Sequence, residues 1–185
     1  LPICCHAGLV KGLKAKVPDN LVLEAEVVEG LGVVLEESGR TLVNSPLIAS
    51  VLFGASLISE AGSAEQKSAL LPKVVSGKLL LAVAIDEAPV HKPQHVNTKA
   101  KKDGDHYILN GEKTFVLDGH VANKLIIVAR TEGDVESTAG VSLFLVDSDA
   151  HGLEVRRTLM VDNRNAARLT LQQVKVPAES LLGEE

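Results

Sequence analysis

The sequence contains no tryptophan, one tyrosine and three phenylalanines. So few flat side chains leave little with which to stack bases, and a formal net charge of −5 supplies no positive field for a phosphate backbone. Nucleic acid is therefore not an expected partner. Cysteine is nearly missing as well. Cys4 and Cys5 are adjacent, which offers neither a disulfide framework nor a spaced set of metal ligands, so a reducing, cytoplasmic location is expected. Long apolar runs are absent. The longest strongly apolar stretch, LIASVLFGASLI at 47–58, falls well short of the roughly 20 residues that span a bilayer. No basic stretch leading into an apolar one resembles a signal peptide, and no membrane association is expected. Methionine occurs once, at Met160, and the chain begins at Leu1; processing or excision from a longer product is the expectation.

What is present is ample apolar matter, 45% of residues, enough for a packed core. Its period changes partway along. Val27, Val28, Leu31, Val34 and Leu35 recur at helical spacing with glutamates around the turn, which predicts an amphipathic helix over 21–39. Asn44, Ser45 and Pro46 supply a cap and first-turn proline for a second helix running to about Gly62. Ser63 to Gln66 fits a capping box for a third, to about Ser76. The second helix is apolar nearly all round, so it calls for neighbours from missing chain or another subunit. After Lys78 the period becomes two. Runs at about 79–85, 96–101, 106–109, 113–117, 124–130, 140–147 and 167–174 are separated by turn signals. Asn110-Gly111 is the strongest hairpin signal among them. The expected fold is α+β: a partial helical bundle over 1–78, then an antiparallel β-barrel of about seven strands over 79–185.

Motifs for familiar chemistries are scarce. G-x-G-x-x-G and G-x-x-x-x-G-K-[ST] do not occur, and no serine lies in a G-x-S-x-G elbow. His91 and His95 are four apart, but Pro89 and Pro93 argue against the helix that would make this a ligand pair; solvated loop histidines are expected and no metal site is assigned. Asp86 and Glu87 end the apolar run LLLAVAI. As strand neighbours they point to opposite faces, and solvation at a strand end is the plain reading. Lys99, Lys101 and Lys102 beside Asp103 and Asp105 read as a charged hairpin edge.

The order of segments EQKSALLPKVVSGK, AVAIDEAP, GDHYILNGEKTFVLDGHVANKLIIVART, GVSLFLVD and LTLQQVKVPAESLLG over about 24–183 resembles the acyl-CoA dehydrogenase family. The resemblance implies α,β-dehydrogenation of an acyl-CoA thioester, with FAD as cofactor, an electron-transfer protein as oxidant and a homo- or hetero-oligomer as the assembly. It implies cofactor contacts at Val83, Ile85, Asp86, Glu87, Phe115, Leu117 and Asp118, and substrate contacts at Val90, His91 and Lys92. Where the family carries Thr-Glu-Pro this chain has Asp86, Glu87 and Ala88; where the family carries Trp-Ile-Thr it has Phe115, Val116 and Leu117. Two hydroxyls expected at a flavin edge are thereby lost. The family's proton-abstracting carboxylate belongs to a carboxy-terminal helical domain expected beyond Gly183. No catalytic residue is assigned here, and turnover by this chain alone is not expected. The alternative is a non-catalytic subunit of a heteromeric dehydrogenase; a β-barrel module binding an unrelated ligand is a weaker one.

Overall fold

The computed structural model describes residues 22–137, 139–161 and 165–183. It divides into two compact units, Leu1–Val43 and Asn44–Glu185. In the first, the amphipathic pattern forms helix α1, Val22–Arg40. Its apolar Val33 and Val34 are exposed. Among the described residues no helix is long and apolar enough to cross a membrane.

In the second unit the nearly all-apolar segment forms a π-helix, Ile48–Ala55, continued by helix α2, Ser56–Ala61. The sequence pattern predicts an ordinary α-helix here. Two close contacts accompany the wider turn: the Ser50 hydroxyl donates to Leu81 O at 3.0 Å and accepts from Leu81 N at 2.6 Å. A Cβ on Gly54 would lie 2.5 Å from the Leu81 Cβ, so only glycine permits this approach. Helix α3, Ala64–Val75, starts as its sequence predicts. Ser63 Oγ accepts from Gln66 N, and Gln66 Oε1 accepts from Ser63 N. Gln66 Nε2 also donates to the carbonyls of Glu179 and Leu181, tying the helix start to the end of the sheet.

Eight strands follow among the described residues: β1 Leu81–Ala84, β2 Lys99–Asp103, β3 His106–Leu117, β4 Lys124–Arg130, β5 Val141–Asp147, β6 Leu153–Leu159, β7 Asn165–Pro177 and β8 Leu181–Leu182. They do not close into the expected antiparallel barrel. The path is open, β6-β7-β3-β2-β4-β5-β8, with β1 beside β4. Two features account for this. First, β1 runs parallel to β4 along 124–127, so β2 reaches β4 only at the Lys99–Arg130 pair, also parallel. Second, among the described residues β6 pairs only with β7, and β8 is two residues long. Period-two patterning sets faces, whereas closure needs a particular stagger and tilt that the pattern does not encode.

Strand β4 explains its own apolar sequence, because it is covered on both sides. Ile126 joins the helix-side cluster of Ile58, Leu70, Val74, Leu81 and Leu145. Leu125, Ile127 and Ala129 face the main core, where the Tyr107 and Phe144 rings lie 4.9 Å apart. Alternation therefore divides one strand between two cores.

Asn110-Gly111 does not form a hairpin. Strand β3 continues through it, and the reversal falls at Gly104, whose φ is +63°, between Asp103 and its partner His106. At Gly111 the requirement is space: an added Cβ would lie 2.5 Å from Thr98 Oγ1 and 2.7 Å from Thr98 Cα. Asn110 Oδ1 instead accepts from the backbone and side-chain nitrogens of Gln173 across a register shift between β3 and β7. Gly111→Ala is expected to destabilise the protein by about 1–3 kcal/mol through overpacking, measured by urea denaturation, while Gly104→Asn is tolerated.

Candidate functional site

The sequence-predicted site residues fall into three neighbourhoods. The first is built where β1 ends against β3. Thr114 N donates to Asp86 O at 2.7 Å, and Thr114 Oγ1 donates to Ala88 O at 3.2 Å, so the chain leaving β1 is stitched to β3. Beneath this lies a buried ion pair. Lys113 Nζ donates to Glu87 Oε1 at 2.7 Å and to Ile85 O at 3.0 Å. The Lys113 side chain is fully buried and that of Glu87 is 7% exposed. The Glu87 carboxylate also accepts from Asn97 N at 2.6 Å and Thr98 N at 2.9 Å. Glu87 is thus a bracket joining β1, β3 and the start of β2, which replaces the expected solvated strand end.

The electrostatics follow the geometry. Burial pushes the Glu87 carboxyl up, but hydrogen bonds from Lys113 and Thr98 outweigh it and hold the group below its ordinary value. Burial likewise lowers the Lys113 ammonium below its ordinary range, opposed by the Glu87 and Asp86 charges.

Asp86, two residues past the end of β1, has different partners. Its carboxylate meets His91 Nδ1 at 2.9 and 3.0 Å and accepts from Lys92 N at 3.3 Å. His91 is 70% exposed, so a solvated loop histidine is found, oriented by Asp86. Val90 beside it is also exposed. Three of the expected positions, Asp86, His91 and Lys92, therefore form one hydrogen-bonded unit.

The second neighbourhood belongs to β3 and β7. Phe115 sits in the register shift between Lys113 and Val116, with φ +54°, and is 61% exposed. It borders an open cleft of about 200 Å³ with Pro89, Thr114, Thr158, Ala166 and Arg168. Leu117 pairs with Ala166, and Asp118, itself at φ +54°, donates its N–H to Asn165 O. The third is on the helix side. Val83 and Ile85 line an apolar groove of about 300 Å³ with Leu52, Phe53, Ser56 and Leu57.

Sequence reasoning did not single out Lys113 or Arg130. Arg130, 5% exposed, donates to five carbonyl oxygens, those of Val96, Glu132, Val135, Ser137 and Ala139, and so clamps the turn between β4 and β5. Parity was the available signal for Lys113. Counting by twos from the inward residues Tyr107 and Leu109 lands on it.

The family description "Acyl-CoA dehydrogenase, middle domain" matches residues 90–174. Long-chain specific acyl-CoA dehydrogenase of Sus scrofa mitochondria is 38% identical over 133 residues, 69% of this chain and 31% of that protein. The chain belongs to the acyl-CoA dehydrogenase family. Butyryl-CoA dehydrogenase of Megasphaera elsdenii superposes with a TM-score of 0.68 at 30% identity, over 76% of this acyl-CoA dehydrogenase-family chain and 38% of the other. Glutaryl-CoA dehydrogenase of Mycobacterium smegmatis, in complex with FADH2, gives 0.63 at 28% identity, over 70% and 33%. The chain thus spans about a third of the length of the curated pig relative.

Proposed function

We propose that this chain is the middle region of an acyl-CoA dehydrogenase-like oxidoreductase, one that carries out α,β-dehydrogenation of an acyl-CoA thioester in its full-length protein. In this reading residues 1–78 come from an amino-terminal helical domain and 79–185 are the middle domain. The observation that carries the reading is the junction of the two family segments: the Thr114–Asp86 backbone bond and the Lys113–Glu87 bracket hold residues 85–88 against 113–115. Family membership supports it. So does the apolar groove at Val83 and Ile85, which suits an acyl chain.

The wall does not fit a flavin in the manner the family resemblance implies. A flavin ring presents polar atoms along one edge, and hydroxyl donors from residues 86 and 117 would meet them. The Asp86 carboxylate is an acceptor when ionised and is already engaged by His91 and Lys92 N. The Leu117 side chain offers no polar atom. Each buried polar atom left unpaired costs about 1–3 kcal/mol, so the proposed contacts at Val83, Ile85, Asp86, Glu87, Phe115, Leu117 and Asp118 hold FAD weakly. Substrate contacts at Val90, His91 and Lys92, an electron-transfer partner and an oligomeric assembly belong to the same proposal.

The misfit favours a second reading, a structural subunit of a heteromeric dehydrogenase whose partner carries the complete flavin site. The complete gene product, supplied with FAD and examined by visible spectroscopy, separates the two. Stoichiometric flavin that bleaches with an acyl-CoA between butyryl and palmitoyl supports the enzyme. A flavin-free product that co-purifies with a homologous flavoprotein supports the subunit and overturns the first reading.

A further inference from the structure

Strands β6, β7 and β3 present an outer face away from the core. In the β6/β7 register Arg156 stands directly opposite Arg168, and both are exposed. Directly opposed residues share a face at roughly 5 Å between Cβ atoms, and like charges there repel. Among the described residues neither guanidinium has a carboxylate partner within ion-pair distance. The carboxylates facing the same side, Glu112 and Glu154, flank Thr170, one row further along. The next strand continues the row with the register shift that holds Phe115, an exposed aromatic at φ +54°, a region L residues rarely adopt. Thr158 and Pro89 border the same cleft of about 200 Å³ as Phe115 and Arg168. The Ala88–Pro89 lip is fixed by Thr114 Oγ1.

We propose that this face is a binding site for a small organic anion, a single flat ring carrying a phosphate or carboxylate. The anionic group bridges the guanidiniums of Arg156 and Arg168, and the ring lies on Phe115. Guanidinium forks match the paired oxygens of such groups, and two forks side by side gain by sharing one anion what they lose by facing each other. The cleft is smaller than the pockets that take drug-sized ligands and suits one ring with its substituent. The inference shares Phe115 with the proposed cofactor contacts but needs neither Asp86 nor Leu117.

Phenyl phosphate is the probe, titrated calorimetrically into the full chain at constant ionic strength, with inorganic phosphate in parallel. One-to-one binding is expected. Arg156→Gln and Arg168→Gln should each weaken it about tenfold, the scale of a charge-assisted hydrogen bond, with the circular dichroism spectrum unchanged. Phe115→Ala should weaken phenyl phosphate more than inorganic phosphate, which isolates the contribution of the ring. Lys99→Gln, an exposed charge on β2, should change nothing. Equal binding by the Arg156→Gln/Arg168→Gln double variant, or displacement by chloride at the same ionic strength, overturns the site. So does competition by FAD with the same arginine dependence, because the row would then belong to the flavin site.

Discussion

Lys113→Met is expected to lower the stability of the fold by about 3–5 kcal/mol, the cost of leaving a buried charge without its partner. The substitution keeps the length and volume of the side chain, so packing changes little. What it removes is the ammonium that satisfies Glu87 at 2.7 Å and the Ile85 carbonyl at 3.0 Å. The pair as a whole gains little over an apolar replacement, since burying both charges nearly cancels their attraction. Lys113→Met/Glu87→Gln should therefore recover part of the loss, because the side chain left behind is uncharged and still accepts from a backbone N–H. Urea denaturation of the three proteins measures both effects.

The same pair sets an acid dependence. The Glu87 carboxyl is held below its ordinary 4.5 in the folded chain. Its folded form binds a proton less readily than its unfolded form, so it contributes stability above about pH 4.5 that is lost as pH falls through the folded value. In Lys113→Met a lowering partner is gone while burial remains, so the folded Glu87 carboxyl takes up a proton more readily than in the natural chain. The deficit of the variant relative to the natural chain should then shrink as pH is lowered.

Arg130→Gln is expected to cost about 2–5 kcal/mol, on the scale of losing several buried hydrogen bonds to a charged donor. Five carbonyl oxygens depend on this guanidinium, four of them within residues 132–139. Arg130→Lys should restore little, because one ammonium with three donors cannot reach acceptors arranged around a planar fork. Hydrogen exchange of the amides between β4 and β5 should quicken in both variants, before any change in the helices. Exchange that stays slow there would contradict the clamp.

Much of the helical part was legible because its signals are local. The Ser63–Gln66 box and the 3.6-residue spacing of α1 involve neighbours in sequence. The strands are legible from alternation, with two exceptions. β6 carries Glu154, Arg156 and Arg157, and its exposure hides its period, while β8, Leu181–Leu182, is too short to show one. What failed were features set by distant partners. The open sheet follows from β1 lying parallel to β4, a pairing of residues 43 apart, Leu81 with Lys124. Asn-Gly favours a turn at Gly111, whereas Thr98 is what excludes a side chain there. In the site, Asp86 and Glu87 stand out in the sequence as a pair, but their separate partners, His91 and Lys113, do not. The partner that buries Glu87 is hidden in the sequence, since a lysine in a strand reads as solvated until its parity is counted.

The proposed flavin-facing wall lacks alcohol groups at residues 86 and 117, which are Asp and Leu. Titration of FAD into the full chain and into Asp86→Thr/Leu117→Thr, followed by quenching of flavin fluorescence, tests this directly. The natural chain should not retain FAD through gel filtration, and the double variant should bind at least about tenfold more tightly, the scale of one regained hydrogen bond. Tight, stoichiometric FAD binding by the natural chain, or no gain in the double variant, would contradict it.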